Sequence, residues 1–87
     1  MLEEFVGRKI VIDLRSPYVC LGTLHRFDDR YLEIHGADLH DLRDTGTGRE
    51  NYIAESKRTG IKRNRKRLLL VREEVISISS LEDVLED

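Results

Sequence analysis

The sequence predicts a mainly β fold: a small, strongly bent, five-stranded antiparallel barrel preceded by a short N-terminal helix. Three features point there. Residues Lys9 to Leu14 alternate, with Ile10, Ile12 and Leu14 facing one way and Val11 and Asp13 the other, as in a strand with one buried face. The next segment, Tyr18 to about Phe27, carries Gly22 inside an otherwise good strand. Such a glycine marks a bulge, a tight bend or the close approach of another backbone, and here it reads as the bend of a strongly curved strand. Near the C-terminus, "LLLVREEVISIS" sets two apolar β-forming runs, Leu68 to Val71 and Val75 to Ile78, on either side of a polar break short enough to require a tight connection.

The remaining elements follow in order. Leu2, Phe5 and Val6 share the i, i+3, i+4 spacing of one face of a short helix, which Gly7 ends. "RSP" turns the first strand into the second, in which Tyr18, Cys20, Gly22 and Leu24 share a face. After "FDDR" a third strand runs from Tyr31 to about Leu39, with Leu32 and Ile34 apolar and Gly36 and Ala37 a small-residue interruption. "RDTGTGREN" is loop by composition. The stretch from Asn51 to Arg67 is mostly polar and settles on neither period. We treat residues 1–87 as a single domain with a basic insertion at about 44–67. At the C-terminus, Ser79 or Ser80 with Glu82 or Asp83 three residues on has N-cap spacing, and it predicts a terminal helical turn with Leu81, Val84 and Leu85 on one side.

Composition bounds the function classes. A length of 87 residues supports one domain with a modest core. Hydrophobic residues at 39% against charged residues at 37% suit a small fold with much of its surface in water, or one that completes its burial against copies of itself. No apolar run approaches the roughly 20 residues that span a bilayer, and the acidic N-terminus lacks the basic-then-apolar order of a secretory signal. A soluble intracellular protein is expected, cytoplasmic or, in a eukaryote, nuclear, without a membrane partner.

The net charge of −2 hides a segregation. Lys57, Arg58, Lys62, Arg63, Arg65, Lys66 and Arg67 place seven cations and no acid in residues 57–67, leaving the rest of the chain at −9. Such a run contacts nucleic-acid phosphates, or is a solvated loop or targeting signal, or pairs with the acidic remainder of neighbouring copies. Enzyme chemistry is not indicated. Asp28 and Asp29 lack a matching base, "TGTG" lacks the lysine and hydroxyl residue of a phosphate-binding loop, and Cys20 within a strand reads as a small buried thiol. His25, His35 and His40 with Asp38 and Asp41 raise a metal site, but His25 and His35 belong to different strands, so surface histidines are the expectation; no cofactor is called for.

Two motifs together resemble the Sm and Sm-like protein family, over about Ile10 to Ile78. "GTLHRFDD" is similar to the family's first motif through Gly22, Leu24, Phe27 and Asp28, with Ala37 as its later small residue. "LLLVREEVISIS" is similar to the family's second motif, and a variable stretch between the two is normal there. The resemblance implies a five-stranded barrel that assembles into a ring of six or seven subunits and binds single-stranded RNA around the central hole. Asp28 would orient the first turn by accepting backbone N–H bonds, Tyr31 would stack on a base, and Arg72 would face the hole, with the basic insertion adding phosphate contacts. The sequence departs from the family where RNA would be held: Leu32 follows Tyr31 where asparagine would read a base edge, and Glu73 replaces a glycine after Arg72. The alternative reading is therefore an oligomeric protein-interaction scaffold that keeps the fold without base-specific recognition.

Overall fold

The computed structural model describes residues 1–44 and 46–86; Thr45 of the glycine-rich segment and Asp87 lie outside them. Its five strands are β1 (Lys9–Leu14), β2 (Tyr18–Phe27), β3 (Tyr31–Asp41), β4 (Arg65–Val71) and β5 (Val75–Ser80), all paired antiparallel in the order β4-β3-β2-β1-β5. The sheet is strongly bent but not closed, so β4 and β5 are its two borders.

The inner face follows the predicted alternation. Ile10, Ile12, Leu14, Cys20, Leu24, Leu32, Ile34, Ala37 and Leu70 form the main core, each large side chain contributing about 1.5–3 kcal/mol by leaving water. The bend sits at Gly22. A Cβ there would meet Ile34 Cγ2 at 2.5 Å and the Ala37 Cα at 3.1 Å, so only glycine lets β3 cross this closely. Register shifts between Leu21 and Thr23 on the same strand, and Gly36 opposite takes a φ of +57° that a side chain would strain.

The N-terminal element is a single 3-10 turn, Leu2–Phe5, rather than an α-helical face. Leu2 and Phe5 pack on the main core, but Val6 is extended and exposed, because the chain must straighten to enter β1. Gly7, at φ +85°, donates its N–H to the Leu24 carbonyl at 2.8 Å. At the other end, Ser80 does precede a 3-10 turn, Leu81–Asp83, but its side chain makes no capping bond, and Leu85 is exposed while Leu81 is buried.

The polar insertion contains an α-helix, α1 (Arg49–Thr59), which turns Tyr52, Ile53 and Ser56 inward. They cover Val11, Val19, Leu21 and Leu81 in a second core on the outer face of the sheet. Val11, assigned by alternation to an open face, is thus buried, and Asp13 beside it accepts the Ser77 hydroxyl at 2.6 Å and pairs with Arg49. Arg65, Lys66 and Arg67 extend β4 and are strand, not loop.

Candidate nucleic-acid interface

At one end of the sheet two turns are clasped together. Asp28 Oδ1 accepts the backbone N–H of Arg30 at 2.8 Å and of Tyr31 at 2.7 Å, and these bonds hold its carboxyl below the ordinary range. Fixing that turn starts β3 at Tyr31, opposite Val71, with Tyr31 40% exposed. Arg72 follows Val71 in the 3-10 turn Arg72–Glu74. Its backbone N–H donates to the Arg30 carbonyl at 2.9 Å, its guanidinium donates to the Asp28 carbonyl, and it lies 5.9 Å from the centre of the Phe27 ring. Asp28, Tyr31 and Arg72 are therefore brought together, with Arg72 acting on the turn itself.

Beside the clasp a cleft of about 360 Å³ is lined by Arg26, Phe27, Asp28, Tyr31, Glu33, Arg67 and Leu69. Its floor is Glu33, buried between strands. Arg26 Nε donates to Glu33 Oε1 at 2.7 Å, Arg67 Nε donates to Oε2 at 3.1 Å, and His35 Nε2 lies 2.6 Å from Oε2. Hydrogen bonds from Arg67, then Arg26, then His35 keep this carboxylate ionised far below its usual range. The two guanidiniums are anchored at one edge while more than half of each side chain stays in water, leaving N–H groups to reach an anion.

The seven predicted cations divide among three places. Lys57 and Arg58 end α1, where Lys57 Nζ donates to the Val84 carbonyl at 2.6 Å and Arg58 pairs with Glu86, so they tie down the C-terminal segment away from the clasp. Lys62 and Arg63 lie in the connector, with the Arg63 side chain laid over Gly36, and Arg65, Lys66 and Arg67 are exposed along β4. Arg26 and Glu33 are the site residues that sequence reasoning missed. The signal was hidden by the register shift between Leu24 and Arg26, which breaks the alternation that would have placed them on one face.

Cys20 is buried, and burial, with Asp38 nearby, pushes its thiol up to about 12, so it stays protonated and unreactive. Among the described residues no helix is long and apolar enough to cross a membrane.

Comparison of the whole chain with solved structures decides the architecture. The Sm protein of Pyrococcus abyssii in complex with a uridine heptamer superposes at a TM-score of 0.63, with 11% identity, over 91% of this chain and 90% of that one. A heptameric archaeal Sm protein gives 0.60 at 20% identity over 91% and 93%. The chain has the Sm fold. The Sm-like protein AF-Sm2 of Archaeoglobus fulgidus agrees, at a TM-score of 0.61 and 17% identity over 92% and 88%. No protein-family model matches the sequence, and no curated protein is significantly similar to it. The Sm fold thus persists here on a sequence in which α1 occupies the segment between β3 and β4.

Proposed function

We propose that this protein is a non-enzymatic Sm-like subunit that assembles into a ring and binds single-stranded RNA. The observation that carries the reading is the Asp28–Arg72 clasp, which presents an exposed Tyr31 beside the guanidiniums of Arg26 and Arg67. Tyr31 offers a stacking face to a base, worth about 1–3 kcal/mol and tolerant of sequence. The arginines and the exposed Lys62, Arg63 and Arg65 supply phosphate contacts. Leu32, where a base-reading asparagine would stand, is buried in the core at 1% exposure, so recognition is by stacking and charge rather than by base edge. The solved neighbours with a uridine heptamer and with heptameric assembly support the same reading.

The test is titration of a fluorescent single-stranded uridine oligomer at several salt concentrations. Affinity should fall steeply with salt. Tyr31→Ala should weaken it roughly 5- to 100-fold, and neutralising Lys62, Arg63 and Arg65 together should flatten the salt dependence. Absence of binding at low salt with the assembly intact would leave the second reading, a protein-binding scaffold. That reading is favoured by one observation: the Arg72 guanidinium is already engaged by the Asp28 carbonyl and flanked by Glu73 and Glu74.

A further inference from the structure

We infer that His25, Glu33 and His35 form a binding site for a divalent transition-metal ion, with Zn²⁺ the ion that the donor set suits best. The three residues lie on paired strands. Thr23 is opposite His35 and Arg26 opposite Glu33, with a register shift between Leu24 and Arg26, so His25 is the extra residue of a bulge. A bulge re-aims its side chain, and here it brings the His25 ring onto the His35 ring, with centroids 4.2 Å apart and planes 14° from parallel. His35 Nε2 is 2.6 Å from Glu33 Oε2, and one ligand atom from each of the three residues lies within 4.8 Å of the others. Separate strands, which from sequence argued against a shared site, are what bring these side chains together.

Two imidazoles and a carboxylate are a set that zinc takes with one position left open. Bonds of 2.0–2.1 Å place tetrahedral ligand atoms about 3.4 Å apart, so a metal requires His35 Nε2 and Glu33 Oε2, now 2.6 Å apart, to open by roughly 0.8 Å and the ligand atoms now up to 4.8 Å apart to close by roughly 1.4 Å. It also requires the ring planes to converge, since each nitrogen lone pair lies in its own ring plane. His25 is exposed and can turn about its side-chain torsions without moving the backbone. Glu33 keeps one anchor: Arg26 holds Oε1 at 2.7 Å, as an outer hydrogen bond commonly fixes a metal-binding carboxylate, and Oε2 turns to the metal once His35 Nε2 gives up its 2.6 Å hydrogen bond to that oxygen. Arg67 must release Oε2, and its half-exposed side chain can do so into water. The competing arrangement is a metal-free stack of two histidines with His35 bound to Glu33.

The full-length protein, stripped with a chelator, decides between them by titration with Zn²⁺ in competition with a chromophoric chelator and with Co²⁺ read by visible absorption. The expected result is one zinc per chain and an intense, tetrahedral-type cobalt spectrum. His25→Ala, at an exposed position, should leave the far-ultraviolet circular dichroism unchanged, lower zinc affinity at least tenfold and abolish the cobalt bands. His35→Ala should do the same. Zinc affinity equal in wild type and His25→Ala, or a cobalt spectrum indistinguishable from that of the aqueous ion, overturns the inference.

Discussion

Glu33 gathers two guanidiniums and an imidazole, because a buried carboxylate between two strands must be fully hydrogen-bonded to remain charged. Arg67, Arg26 and His35 meet that need and depress its folded pKa. The sign follows directly. The unfolded chain takes up the proton first as pH falls, so the contribution to stability is complete above the ordinary carboxylate value of 4.5 and is lost on acidification towards the folded value. Thermal unfolding should therefore show a Tm that declines below about pH 4.5, and Glu33→Gln should lower the Tm at neutral pH while flattening that decline. An unchanged acid limb in the variant would show that other groups, such as Asp41, held down to about 2 chiefly by Arg43, govern it instead. At this scale the sequence was legible where a residue's reason is local. Gly22 announces close approach because no other residue fits there, and Asp28 announces a turn through its own neighbours' N–H groups. Glu33, His25 and Arg26 were not legible, since a single bulge between Leu24 and Arg26 shifts every side chain beyond it relative to the partner strand.

Among the elements, α1 departs furthest from expectation. Its apolar residues are few, and it holds its place through a specific polar contact rather than through a wide apolar stripe. The Tyr52 hydroxyl donates to Asp38 Oδ2, His40 stacks on the Tyr52 ring at 3.9 Å, and Asn64 Nδ2 donates to Asp38 Oδ1 at 3.0 Å. Asn64 also exchanges two bonds of 3.0 Å with the Leu39 backbone, extending the β3 ladder by a side chain just before β4 begins. Burial first, and then Asp38, pushes the Tyr52 hydroxyl well above its ordinary pKa, so it remains a donor at any physiological pH. Tyr52→Phe keeps the ring and removes the donor from a carboxylate 3% exposed. The expected cost is about 1–3 kcal/mol in urea denaturation, with faster amide exchange along residues 49–59 than along β2. Strands were readable because their period survives in short runs. This helix was not, because only Tyr52, Ile53 and Ser56 are buried in a segment that is otherwise mostly polar and charged.

For the molecule as a whole, the two borders of the sheet carry the proposed assembly. Exposed edge strands invite pairing with other chains and are usually blunted by charge. Here the blunting is partial. β4 begins with Arg65, Lys66 and Arg67 and ends with the uncharged run Leu68 to Val71, whereas β5, Val75–Ser80, holds no charge at all. Both borders also carry exposed apolar side chains: Leu69 at 48% and Val71 at 46% on β4, and Ile76 at 66% on β5. An uncharged half-strand on one edge and an uncharged strand on the opposite edge are complementary in a head-to-tail contact, and the three cations at the start of β4 limit how far the pairing can slide. Repetition of that contact closes a ring if the rotation per step permits. Light scattering on nuclease-treated protein should accordingly give a mass of several subunits. Leu69→Asp or Ile76→Asp, each adding a charge at an already exposed position, should reduce it to a single subunit with the β-type circular dichroism retained. A wild-type protein that stays monomeric at high concentration, or variants that assemble as the wild type does, would separate this chain from the ring reading while leaving its fold untouched.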